Sequence, residues 1–268
     1  GAYAILRMYT LVFGPDLAIT QGLAGAWLMP AALVTLMIGA VGILGSYRIG
    51  RLVAFGAITS MGTLLTAIAL FSPDGVAAAL YYTVHSTLAA AFLFLVADLV
   101  AERQGIEITA QRLMPQSGLI AVLFFAGAIA MAGMPPLSGF LGKLLVLDAA
   151  RDHDLVWWIW GIILIGSLIT ILGMARAGSL LFWKSHSITA QNHPDDPQPF
   201  EEEANEQDDD NTSQRPAALP FVACFALLSG LILLTVFAGP ASHYAEATAA
   251  QLFAPEIYIK AVLGKVTP

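Results

Sequence analysis

The chain reads as an all-α protein, a polytopic transmembrane helix bundle with one helix broken at Gly133-Met134-Pro135-Pro136. Three observations predict this. Apolar residues make up 57% of the chain and charged residues 12%, with mean hydropathy +0.74, whereas a soluble domain carries roughly 25% charged residues. Apolar runs long enough to cross a bilayer recur between short turn clusters, and 268 residues leave room for six or seven spans of about 20 residues each. One of these runs contains two adjacent prolines, which have no amide hydrogen and clash with the preceding turn, so the helix must open there.

The formal charge of −7 is local. Between Lys184 and Pro216 nine acids (Asp195, Asp196, Glu201, Glu202, Glu203, Glu206, Asp208, Asp209 and Asp210) face two bases, which accounts for all of it. The rest of the chain is neutral. The single cysteine, Cys224, lies in an apolar run and reads as packing, and it excludes a disulfide framework or a cysteine-based metal site. The opening GAYAILRMYTLVF has no basic n-region or cleavage site, so no signal peptide is expected. It reads as part of a helix, and the chain as the C-terminal part of a longer polypeptide.

In order, Gly1 to Phe13 is too short to span and closes at Gly14-Pro15-Asp16. Arg7 within it either snorkels to the surface or has a function. Leu23 to Leu44 is the first full span, with Pro30 near its start, where proline is cheapest. After the basic turn Ser46 to Arg51 comes Leu52 to Phe71, ended by Ser72-Pro73-Asp74-Gly75. Val76 to Val100 carries His85, and Glu102 to Ser117 is polar and superficial. Gly118 to Ala150 is the broken span: its 33 residues would run to about 50 Å if straight, beyond a hydrocarbon core of about 30 Å. Val156 to Trp183 follows the charged turn Arg151 to Asp154, with Trp157, Trp158 and Trp160 at one end and Trp183 at the other, as interfacial belts should be. Ala217 to Phe237 is the last span, closed by Gly239-Pro240.

If the Arg48/Arg51 turn faces the cytoplasm, alternation places Arg103, Arg112, Arg176, Lys184 and Arg215 on that side, and the opposite connecting loops hold only Arg151. The loop 184–216 is then cytoplasmic, and its composition reads as disorder. The tail 241–268 is then external and can form an amphipathic surface helix through Tyr244, Leu252, Ile257, Ile259 and Val262.

The candidates for chemistry are Lys143, His85 and the break at Gly133, Pro135 and Pro136. A broken helix in lipid is tolerated where protein or a water-filled cavity satisfies the freed backbone groups, and an intramembrane lysine is a functional candidate by default. Burial disfavours the charged form of lysine, and histidine can pass a proton between its two ring nitrogens. Thr83, Ser86 and Thr87 around His85, with Thr59, Ser60 and Ser138, are possible linings of a wet path. Each feature also has a plainer reading: Lys143 snorkels toward the helix end near Asp148, His85 is a satisfied core histidine bonded to Thr83, Ser86 or a neighbouring helix, the prolines make an inert kink, and the hydroxyls are ordinary helix-packing residues. His153, His186, His193 and His243 lie in loops or the tail without a ligand spacing, so no metal is expected. No cofactor motif and no nucleic-acid patch is visible. No acid lies deep in any predicted span, so a partner charge for Lys143 must come from outside this chain.

The segments GMPPLSGFLGKLLVL, YYTVHSTLAAAFLFLVADLV, GRLVAFGAITSMGTLL and GAYAILRMYTLVF together resemble the antiporter-like subunits shared by Mrp-type multisubunit Na⁺/H⁺ antiporters and the membrane arm of respiratory complex I, with wording nearest the D-type subunit of the Mrp (Pha) antiporters. The resemblance covers residues 1 to about 183 well and the rest weakly. It implies the second half of a fourteen-helix subunit, starting within helix 8, with Lys143 matching the terminal relay lysine of broken helix 12 and His85 the relay histidine of helix 11. The family's relay groups in helices 5, 7 and 8 would precede Gly1. Arg48-Ile49-Gly50-Arg51 stands where many relatives carry Asp-Leu-Lys-Arg, and Ser60 where some carry a second histidine, which puts in doubt a relay through the second span.

The resemblance implies an antiporter-like transmembrane domain over 1–183, followed by the acidic loop 184–216, a last transmembrane helix over 217–240 and an external tail over 241–268. The expected function is proton translocation in a monovalent cation (Na⁺)/proton antiporter of a bacterial inner membrane, a secondary transporter rather than an enzyme, with the other subunits of the complex, the lipid bilayer, protons and the cation as partners. One rival is a proton-pumping antiporter-like subunit of complex I or a membrane hydrogenase. Another is a scaffold whose intramembrane charges no longer carry protons.

Overall fold

The computed structural model describes residues 1–11, 25–110, 114, 116–184 and 218–254. Within them the chain forms helices α1 (Ala2–Leu11), α2 (Gly25–Leu44), α3 (Ile49–Ala69), α4 (Pro73–Gln104), α5 (Ser117–Ala132), α6 (Ser138–Ala149) and α7 (Val156–Gly178). A π-turn over Ser179–Trp183 extends α7, and α8 (Ala218–Val236) and α9 (Ala238–Phe253) complete the set. The acidic loop and the tail beyond Ala254 lie outside the described residues, as do Arg112, His186, His193 and Arg215.

Among the described residues, five helices are long and apolar enough to cross a membrane: α2, α3, α4, α7 with its π-turn, and α8. Helices α5 and α6 have 16 and 12 residues, about 24 and 18 Å at 1.5 Å per residue, so neither alone spans a core of about 30 Å. Together they make the sixth crossing, because α4 ends and α7 begins at opposite ends of the bundle. The two ends are identified by contacts. An isolated β-bridge joins Arg48 to Glu107, with Ile49 N–H donating to the Ile106 carbonyl and Ile108 N–H to the Tyr47 carbonyl. Arg176 donates to the Ser46 carbonyl, and its guanidinium lies over the Tyr47 ring. The α2–α3 turn, the segment after α4 and the end of α7 therefore share one end.

Local signals explain the limits of α4. Ser72 caps it by accepting from the Gly75 N–H, Pro73 occupies its first turn, and Gly105 ends it at φ +87°. Its 32 residues exceed the expected Val76–Val100, and the polar turns at both ends project beyond the apolar span. The final helices differ from expectation too. Gly239-Pro240 falls in the first turn of α9 rather than closing a helix, since proline is accommodated where its N–H would be orphaned anyway. Leu252 in α9 is buried within the bundle, with Ala245 and Ala249, whereas Tyr244 is exposed, so the two do not share one face. Ile257, Ile259 and Val262 lie outside the described residues.

The interior has two apolar clusters. Near the Arg48 end, Ile43, Leu52, Phe92, Leu123, Phe124, Met131 and Met174 pack together. Toward the other end, Leu36, Leu64, Ile68, Val76, Tyr82, Val146 and Ile163 do. In α3, α4, α5–α6 and α7 the sequence between the two clusters holds the polar or irregular residues: Thr59 and Ser60 in α3, His85 in α4, the break and Lys143 between α5 and α6, and Ser167 and Thr170 in α7. A polar layer therefore lies at mid-depth.

Candidate functional site

Gly133 ends α5 by adopting φ +75°, the left-handed conformation that glycine takes without steric cost. Its N–H returns to the Ile129 and Ala130 carbonyls, and the Met134 N–H also reaches Ile129. Pro135 and Pro136 have no N–H to continue the ladder. The helix resumes only at Ser138, so the break extends one residue past the expected Gly133–Pro136.

The Ala132 carbonyl, freed by the break, accepts from Lys143 Nζ at 2.7 Å. The same amine donates to Ser167 Oγ on α7 at 2.8 Å. Lys143 is buried. Side chains on a helix lean toward its N-terminus, which carries this amine back to the break instead of out toward Asp148. Asp148 pairs instead with Arg151, in a cleft with Asp74, Ser242 and Glu246 at the end of the bundle. The lysine therefore does not snorkel. It occupies the C-terminal end of α5, where the partial negative charge of the last carbonyls favours a cation. A Cβ at position 133 would lie 2.6 Å from Lys143 Cδ and 3.1 Å from Nζ, so the glycine also makes room for the lysine.

His85, wholly buried, places Nδ1 2.9 Å from Ser138 Oγ at the start of α6. Its other polar neighbour is the Ala130 carbonyl, in the last turn of α5. A carbonyl only accepts, so in the neutral ring the nitrogen facing it takes the hydrogen, which leaves Nδ1 to accept from the Ser138 hydroxyl; in the charged ring both nitrogens donate. Gly139 permits this approach of three helices: a Cβ there would meet the Ala130 oxygen at 2.3 Å and His85 Nε2 at 2.8 Å.

Of the residues expected to line a path, Ser138 bonds His85, and Ser60 reaches the last turn of α5. Ser60 is buried and its hydroxyl points at Met131 Sδ, 3.2 Å away in the last turn of α5. Thr59 is buried against α2 and donates to its own helix at the Phe55 carbonyl. Thr83, Ser86 and Thr87 also turn back onto α4: Thr83 donates to Ala79, and Ser86 and Thr87 to the Thr83 carbonyl. Thr87 is exposed. The hydroxyls of all three bond their own helix rather than His85 or Lys143. Ser167 was not anticipated. The signal for Ser167 was its spacing, since Ser167 and Thr170 are hydroxyl residues one turn apart on an otherwise apolar stretch of α7.

A bundle with six crossings among the described residues, a discontinuous helix and an amine held at the break define a class of polytopic membrane proteins built around a mid-depth polar site. Residues 1–170 match the family described as NADH:quinone oxidoreductase/Mrp antiporter, TM, and the chain belongs to that family. It is 31% identical over 98% of its length to a Bacillus subtilis protein named as the D-type subunit of a Na(+)/H(+) antiporter, covering 49% of that protein. It is 28% identical, again over 98% of its length, to a Rhizobium meliloti protein named as the probable D-type subunit of a K(+)/H(+) antiporter, covering 50% of it. The chain thus spans about half the length of the curated relatives it matches. Its fold is shared with a chain in the structure of the Mrp complex from a Dietzia species (TM-score 0.72, 24% identity, 98% of this chain and 53% of that one). It is shared as well with a chain of respiratory complex I from Thermus thermophilus (TM-score 0.65, 23% identity, 92% of this chain and 49% of that one).

Proposed function

We propose that this chain forms part of the proton-translocating subunit of a multisubunit monovalent cation/proton antiporter, with His85 as an intermediate proton carrier and Lys143 as the terminal one. The observation that carries this reading is the bonding of Lys143. Both of its partners are neutral, and between them they suit both protonation states. The ammonium donates to the Ala132 carbonyl and to Ser167. A neutral amine keeps the bond to the carbonyl and accepts from the Ser167 hydroxyl, which can rotate. A proton can therefore leave and return without orphaning a buried group. His85 has the matching property, because a hydroxyl and a carbonyl flank its two ring nitrogens.

The names of the relatives that align over 98% of this chain support antiport. The cation we assign is Na⁺, with K⁺ as the competitor that one relative's name specifies. We place the protein in a bacterial inner membrane beside the other subunits of such a complex, as a transporter component rather than an enzyme. The 184–216 loop faces the cytoplasm and the C-terminus is external, as the basic residues at the Arg48 end suggest. The family description and the shared fold with complex I favour a second reading, in which the same relay is driven by redox chemistry in neighbouring subunits. Neighbouring genes separate the two: small antiporter subunits in one case, quinone- and cluster-binding subunits in the other.

The test is Lys143→Ala in the assembled complex, assayed in everted membrane vesicles with Na⁺ and with K⁺. Exchange should be abolished while the complex is recovered at normal yield. Exchange at the normal rate would reject the assignment.

A further inference from the structure

The three tryptophans at the start of α7 are not alike. Trp157 and Trp158 are 80% and 68% exposed, as rings at a membrane–water interface should be. Trp160 is half-buried, and its indole N–H donates to the Leu147 carbonyl of α6 at 2.9 Å. That carbonyl lacks a helical partner, because the Arg151 N–H that would continue the ladder donates to the Asp148 carbonyl instead. Trp160 therefore caps the C-terminal end of α6 from the side.

This contact forms a pair with the bond from Lys143 to Ser167. Leu147 and Lys143 are four residues apart on α6, and Trp160 and Ser167 seven apart on α7, so each couple shares a helix face. The helices run antiparallel, and the two bonds cross between them as rungs. Four residues rise about 6 Å and seven about 10.5 Å; the lysine stem, leaning toward the N-terminus of α6, spans the difference. Beyond the turn that joins the two helices, α6 packs chiefly on α3, α4, α5 and α8, and α7 on α2, α3 and α5. The break separates α6 from α5 at its other end, so no continuous helix fixes its height. Sliding α6 by one residue moves it about 1.5 Å, enough to break the 2.8 Å bond to Ser167. We propose that Trp160 is a positioning residue: by holding the Leu147 carbonyl it fixes the height of α6 beside α7 and so brings Lys143 to Ser167. The inference rests on the proton-relay reading above.

The test uses the complete complex in everted vesicles, with exchange rates expressed per assembled complex. Trp160→Phe removes the N–H and keeps an aromatic ring; it should slow exchange about five-fold, the rate equivalent of about 1 kcal/mol. Ser167→Ala leaves the Lys143 bond to the Ala132 carbonyl in place and should retain part of the rate. Positioning through Ser167 predicts non-additivity: in the Ser167→Ala background, Trp160→Phe should change the rate by less than about two-fold. The same factor in both backgrounds would reduce Trp160 to a packing role and overturn the proposal. A normal rate for Trp160→Phe, with Lys143→Ala inactive, overturns it too and leaves the relay standing. An active Lys143→Ala variant overturns the relay itself. Should Trp160→Phe fail to assemble, replacement of Trp160 by benzothienylalanine, which has sulfur in place of the N–H and the same ring shape, carries both arms. Should Ser167→Ala retain no exchange, Ser167→Cys, with its weakly bonding thiol, takes its place in the cycle.

Discussion

The site depends on two small residues as much as on its two titratable ones. Gly133 provides both a left-handed turn and room for the lysine stem, and Gly139 lets α6 touch the end of α5. Gly133→Ala should cost roughly 1–2 kcal/mol in backbone strain alone and push Lys143 away from the Ala132 carbonyl. Its signature is a lower melting temperature of the solubilised complex together with reduced exchange. Retention of both values would show that the turn does not position the lysine. Lys143 and His85 were legible in the sequence because charge is rare and costly in apolar runs. Ser167 was not, since hydroxyls are ordinary in membrane helices, and only tertiary contact shows which of them meet a partner. The same limit holds for Thr83, Ser86 and Thr87, whose hydroxyls bond their own helix: proximity in sequence to His85 does not place a hydroxyl on the same side of a helix.

The helices obey membrane packing rules around that layer. Helices α2 and α3 approach closely because glycines face backbone: a Cβ at Gly62 would lie 2.4 Å from the Leu36 nitrogen, and one at Gly39 2.5 Å from the Thr59 nitrogen. Small residues allow such contact between membrane helices. Gly62→Ala forces the backbones apart, and overpacking of this kind costs about 1–3 kcal/mol. We expect reduced recovery of assembled complex with a near-normal rate per complex, measured by quantitative blotting alongside transport. A normal yield would mean that the helices can separate freely. Helix existence and the site of the break were readable from apolar run length and proline placement. The ends were less so. The limits of α4 depend on capping at Ser72 and on a turn at Gly105, and the first turn of α9 contains a glycine and a proline that the sequence alone presents as a stop.

For the molecule as a whole, the two apolar clusters bracket a mid-depth polar layer, and a discontinuous helix delivers an amine to it. The β-bridge between Arg48 and Glu107 and the bond from Arg176 to Ser46 place on one end several of the basic residues that charge counting assigns to one side. No carboxylate among the described residues pairs with Lys143, whose two bonds go to a carbonyl and a hydroxyl. A neutral setting suits a group that must lose and regain a proton, whereas an ion pair would hold it charged. The central claim is that the protonatable amine at position 143, and not its bulk, carries the proton. Proton flux into liposomes containing the purified complex tests this most directly with Lys143→Met, which keeps an unbranched chain and removes the amine. The account predicts flux no greater than in empty liposomes at equal complex content. Normal flux from that variant would contradict it.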